Sequence, residues 1–182
     1  ASAVLRPALR PPRDAARAVC VLTVLGIDIG PDLCGVARVQ VESIGRSRLT
    51  WSGLLSFEDV FEEVERAAVA LVAIECPEEV HQGLVRLRGA AALRSASQHI
   101  GDCKRIAGRV EGLLMARKLA YETTTARIWR AALCGRAAAT DAQVKTALTL
   151  RCEMGRTNNH VRDAVGVAIW AGMRAGRERR TA

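Results

Sequence analysis

The stretch from Val21 to Gly30, VLTVLGIDIG, constrains the fold more than any other. Positions up to Ile27 are almost all apolar and several are β-branched, which suits a strand buried on both faces. Such a strand ending on Asp28 strips water from a carboxylate. That costs free energy unless something positive or a turn of hydrogen-bond donors receives it. A metal ion is one answer and a turn capped by Asp28 is the other. Gly30 lets the chain pass close to whatever Asp28 holds.

A second short buried strand, Ala70 to Ile74, also ends on a carboxylate, Glu75, before Pro77 stops the ladder. If the two strands are neighbours, Asp28 and Glu75 face each other across one sheet edge. Near the C-terminus His160 and Asp163 lie three apart, on one face of the first turn of a helix. That helix continues as Ala164-Val165-Gly166-Val167-Ala168-Ile169-Trp170, nearly uncharged, and so packs deep against the sheet. The structural alternative for the pair is capping with helix-dipole complementarity at Asp163. Asp28, Glu75, His160 and Asp163 are three carboxylates and one imidazole from three elements that could converge, and clustered acids repel unless cations neutralise them. Hard oxygen ligands select Mg²⁺ or Mn²⁺. Two such ions are the standard clamp for phosphodiester hydrolysis.

The elements between these motifs read as α/β. Leu33 to Val41 and Leu49 to Leu55 are strands joined to the first as an antiparallel meander, with a turn at residues 43–46. Ser56 caps a helix whose Phe57, Val60, Phe61, Val64 and Ala68 form a buried stripe. Residues 78–92 read as a basic loop exposing Arg86 and Arg88. Leu93 to Leu114 keep helical spacing over some six turns, enough to cover the sheet and leave surface for a second subunit. Leu119 to Glu122 is a last short strand. Thr123 or Thr124 then caps a short helix around Ile128, Trp129 and Leu133 that Gly135 ends. Thr140 and Gln143 form a capping box before a helix through Leu150.

The 182 residues carry 27 Lys and Arg against 19 Asp and Glu, a net charge of +8, with a pI of about 9.8. A polyanion, nucleic acid first, is the expected partner. Aromatic residues are only 3% of the chain, too few for a single-strand stacking platform, so the charge points to duplex phosphates. No apolar run is long enough to span a membrane. The six cysteines (Cys20, Cys34, Cys76, Cys103, Cys134 and Cys152) contain no C-x-x-C pair and read as reduced thiols of an intracellular protein. Residues 1–20, rich in proline and arginine, are expected to be a disordered basic tail, or an organellar (mitochondrial or plastid) transit segment in place of a cytoplasmic or nucleoid address. Residues 21–176 make one domain, and 177–182 are expected to be a frayed basic tail.

Leu25-Gly26-Ile27-Asp28-Ile29-Gly30, Val72-Ala73-Ile74-Glu75 and His160-Val161-Arg162-Asp163-Ala164 together resemble the RuvC-type Holliday junction resolvases of the RNase H-like superfamily. The resemblance spans about residues 22–175. It implies an RNase H-like sheet of five strands, three antiparallel plus two parallel, flanked by helices. It also implies a homodimer that cuts four-way DNA symmetrically in recombination and repair, with two Mg²⁺ per site and Mn²⁺ able to substitute. Asp28, Glu75, His160 and Asp163 are then the metal-binding and catalytic residues. His160 stands where many members carry Asp, so it either ligates the metal or acts on the attacking water. Lys145 is the candidate for a phosphate or transition-state contact. Arg86, Arg88, Arg127, Arg130, Arg136, Arg151 and Arg156 are collective candidates for phosphates, and His81 and His99 are read as surface residues. The alternatives are an RNase H-like nuclease acting on RNA or linear duplex, and a non-catalytic junction-binding protein. Sugar-kinase and actin-like ATPases share the D-x-G loop but need two such domains, for which this chain has no room.

Overall fold

The computed structural model describes residues 21–42, 46–78 and 82–181. The expected tail at 1–20, most of the turn at 43–46 and His81 lie outside them. Five strands, β1 (Val21–Asp28), β2 (Cys34–Glu42), β3 (Ser47–Leu55), β4 (Leu71–Glu75) and β5 (Tyr121–Thr124), form one sheet of order β3-β2-β1-β4-β5. β1, β2 and β3 pair antiparallel, whereas β4 and β5 add in parallel. The sheet is the mixed α/β arrangement expected from the strand pattern and the resemblance.

Alternation along the central strands sorts the two cores. On β1 and β4, Leu25, Ile27, Val72 and Ile74 face one side, where they pack with α1 (Phe57–Arg66) and α2 (Gln82–Ala116). Leu22, Val24, Leu71 and Ala73 face the other, against α3 (Ala126–Cys134), α4 (Asp141–Thr149) and α5 (Asn159–Thr181). The same period of two places Asp28 and Glu75 on the α5 side. Gly26 makes the approach of α5 possible: a Cβ there would stand 2.1 Å from the Ala164 carbonyl oxygen.

Three expectations need correction. Residues 82–92 are helix and not part of a loop: α2 begins at Gln82 and runs 35 residues. Its leucines, alanines and arginines favour helix and extend the strongly periodic part backwards, despite Gly83 and Gly89. The last strand is β5 at Tyr121–Thr124, two residues later than expected, because the Ala120 carbonyl accepts from Val72 N–H before the ladder proper starts. Neither Thr123 nor Thr124 is therefore the cap of α3; Thr125 occupies that position without a side-chain cap bond. Finally, α5 continues to Thr181 through the segment expected to fray. Arg174 supports this extension, its Nε 3.2 Å from Glu178 Oε1 one turn on.

The caps at Ser56, Thr140 and Gly135 form as the sequence indicates, the last at φ 75°. Glu63 on α1, 1% exposed, is paired with both Arg38 and Arg66, which answers for its burial. Among the described residues Cys34, Cys76, Cys103, Cys134 and Cys152 are free thiols. No described helix is long and apolar enough to cross a membrane.

Candidate active site

Asp28 and Glu75 are register partners at the carboxyl ends of the parallel strands β1 and β4. The first turn of α5 closes over this edge. His160 Nδ1 lies 2.7 Å from Asp28 Oδ2, and with the carboxylate ionised Nδ1–H is the donor. Gly35, opposite Asp28 on β2, gives α5 its entry: a Cβ there would be 2.2 Å from the His160 carbonyl. Asp163 follows one turn later, 8% exposed. Its charge acts on both Asp28 and Glu75.

These acids are served by groups that sequence reasoning placed elsewhere. Trp129 Nε1 donates to Glu75 Oε2 at 2.7 Å. Arg130, the next residue on α3, donates from Nη2 to Asp163 Oδ2 at 2.7 Å, and its Cζ lies 5.3 Å from the Trp129 ring. Arg162, 7% exposed, donates from Nε to Asp163 Oδ1 at 2.9 Å, from Nη2 to Asp141 at 3.1 Å and from Nη1 to Asn159 at 3.0 Å. Trp129 reads in the sequence as plain core, Arg162 as one arginine among many and Asp141 as a first-turn acid of α4. Their only sequence signal is position, next to residues of the motif or at a helix start.

Burial is the largest influence on Glu75, and the charge of Asp28 adds to it. Together they push its carboxyl up to about 8, although the Trp129 hydrogen bond works in the other direction. Asp28 is also raised, chiefly by burial, with the His160 contact opposing. Both carboxyls therefore hold a proton more readily than a free carboxylate does, at an edge where Arg130 and Arg162 face Asp163 and His160 faces Asp28.

The donor set suits divalent cations in its chemistry: three carboxylates and an imidazole, with two guanidiniums already drawn in beside Asp163. The arrangement is nonetheless not a ready cage. Among the described residues, no three His, Cys, Asp or Glu side chains are grouped so as to hold one ion.

The remaining candidates fall outside this cluster. Lys145 is exposed on α4, and among the described contacts none ties it to the acids. Arg127, Arg136 and Arg156 are exposed; the Arg127 backbone N–H donates to Glu78 Oε1 at 3.1 Å. Arg151 caps α4 by donating to the Ala147 carbonyl at 2.7 Å. Arg86 and Arg88 belong to α2, and their side chains lie outside the described residues. Among the proposed phosphate contacts, Arg130 is held by the acids themselves.

No protein-family model matches the chain, and no curated protein sequence matches it. Solved structures do. Thermus thermophilus RuvC in complex with Holliday junction substrate superposes with a TM-score of 0.67 at 17% identity, over 86% of this chain and 96% of that one. A second Thermus thermophilus RuvC structure gives 0.62 at 18%, over 88% and 97%. The yeast mitochondrial Holliday junction resolvase Ydc2 gives 0.53 at 12%, over 86% and 80%. At these identities the likeness is one of fold: this chain has the fold of those RuvC structures.

Proposed function

We propose that this chain is a structure-selective DNA endonuclease that resolves four-way junctions by symmetric, divalent-metal-dependent phosphodiester hydrolysis. The observation that supports it most is the meeting of Asp28, Glu75 and Asp163 at one sheet edge, on a fold shared with a RuvC bound to a junction. Asp28, Glu75, Asp163 and His160 would hold two Mg²⁺, or Mn²⁺ in their place, which supply water activation and steady the leaving oxygen.

The chain's own residues set the conditions for that chemistry. Asp28 fixes the His160 ring through Nδ1, which leaves Nε2 to take a ligand or the proton of an attacking water. Trp129 fixes Glu75, and Arg162 fixes one oxygen of Asp163. The net charge of +8 gathers the phosphate chain around an acidic centre. Symmetric cleavage needs two such centres, and a homodimer formed through the long α2 would supply them. Recombination and repair are the processes that produce this substrate.

The decisive assay compares an immobile four-way junction, linear duplex of the same sequence and structured RNA, each with Mg²⁺, Mn²⁺ or EDTA. Paired nicks in opposing strands of the junction, abolished by EDTA, are expected. Equal cleavage of RNA or linear duplex would transfer the reading to another RNase H-like nuclease. Tight junction binding without cleavage would make the chain a non-catalytic binder.

A further inference from the structure

Asp163 has a guanidinium on each oxygen, and the two arginines are held very differently. Arg162 is buried and makes contacts to three separate residues, Asp163, Asp141 and Asn159, so it is a fixture. Arg130 is less secured. Its side chain is 20% exposed, its Nη1 has only a long 3.4 Å contact to the Ala139 carbonyl, and its buried Nε has no hydrogen-bond partner. The Nη2 that grips Asp163 at 2.7 Å is also 3.8 Å from Asp141 Oδ1, a carboxylate at the more open mouth of the cluster. A second acceptor therefore stands within a small rotation of the first.

We infer that Arg130 is a displaceable counter-ion, which occupies Asp163 in the metal-free protein and must move towards Asp141 before a divalent cation can be bound there. The inference rests on the metal-dependent reading of the site and adds a competitor to it. A carboxylate oxygen already accepting a charge-assisted bond offers a cation less, and two positive charges at one oxygen repel. The position of Arg130 on α3, one residue from the Trp129 that holds Glu75, lets a single short helix act on two of the three acids.

The two acceptors give the test opposite signs. Mn²⁺ affinity is measured by electron paramagnetic resonance on the DNA-free full chain, in wild type, Arg130→Gln and Asp141→Asn, with circular dichroism confirming the fold. Arg130→Gln removes the competitor and should tighten Mn²⁺ binding at least about fivefold. Asp141→Asn weakens the alternative seat and should loosen it by a similar factor. A variant that only loosens the packing of the site would weaken binding. Unchanged or weaker binding in Arg130→Gln overturns the inference, and if that variant does not fold, unchanged or tighter binding in Asp141→Asn does so. A wild type that binds Mn²⁺ but cuts no junction would instead overturn the proposed function and leave this inference standing.

Discussion

The indole of Trp129 lies in the notch that Gly166 leaves in α5: a Cβ at 166 would stand 2.6 Å from Cζ3 of the ring. The same indole donates to Glu75 at 2.7 Å, so a missing methyl group on one helix sets the orientation of an acid on a strand. Alanine at a helix interior ordinarily gains about 1 kcal/mol over glycine. Here the ring is fully buried and cannot retreat, and overpacking costs about 1–3 kcal/mol. The clash wins.

Gly166→Ala is accordingly expected to lower stability by up to about 2 kcal/mol net, the overpacking cost less the propensity gain, and to lower cleavage with it. Urea unfolding of the two proteins measures the first effect directly. A stabilised Gly166→Ala protein would mean that the ring and the helix are not in contact.

The acids were legible in the sequence because each is marked by its setting. Asp28 and Glu75 end apolar strands, and His160 and Asp163 open an apolar helix at a spacing of three. Trp129, Arg130 and Arg162 carry no such mark as site residues. A tryptophan in an amphipathic helix reads as core, and it is core here; that its one polar atom reaches Glu75 depends on how α3 crosses the sheet, which no local pattern encodes. Arginines are abundant in this chain, and burial singles out Arg162 only once α5 has been packed. The start of α2 is not legible because residues 82–92 lack an apolar stripe, although their composition favours helix. The offset of β5 is not legible because a four-residue strand is defined by its neighbour and not by its own sequence.

Glu75 gives the metal-free protein a distinctive pH dependence. Its carboxyl titrates at about 8 in the fold against an ordinary value of 4.5, so between those limits the unfolded chain binds fewer protons than the native one. Stability must then fall as pH rises from about 4.5 to about 8, by up to ~1.4 kcal/mol per pH unit, and level off above. Asp28, also raised, adds to the fall in the same direction. Urea unfolding in EDTA across this range should show the decline in wild type and a much flatter curve in Glu75→Gln. Stability that climbs through the window, or equal slopes in the two proteins, would contradict the burial assigned to Glu75. Mn²⁺ should stabilise more at pH 8 than at pH 6, because it competes with the proton.

Asp28→Asn separates binding from chemistry. It removes a proposed metal ligand and relieves repulsion with Glu75, yet its Oδ1 can still accept from His160 Nδ1–H. Cleavage should fall more than about 100-fold, beyond the range typical of losing an outer-shell partner. Junction binding in a gel-shift assay should persist or tighten. The metal-free variant should also melt higher than wild type at pH 8. Retained cleavage in this variant would remove Asp28 from the catalytic set.

Arg162 distinguishes positioning from charge. Its three nitrogens reach Asp163, Asp141 and Asn159 at 2.9, 3.1 and 3.0 Å, a fork that ties the first turn of α5 to the start of α4. Lysine preserves the positive charge but offers a single ammonium on a flexible stem, which cannot span three acceptors. If the role of Arg162 were to neutralise Asp163, Arg162→Lys would leave cleavage intact. If its role is to aim the carboxylate, the same variant should lose about 10–100-fold in cleavage rate, with junction affinity within about twofold of wild type. Single-turnover kinetics at saturating protein, alongside a binding titration in EDTA, measure the two quantities separately. The structure favours aiming, because the three nitrogens of Arg162 are divided among three separate acceptors and only one of them serves Asp163.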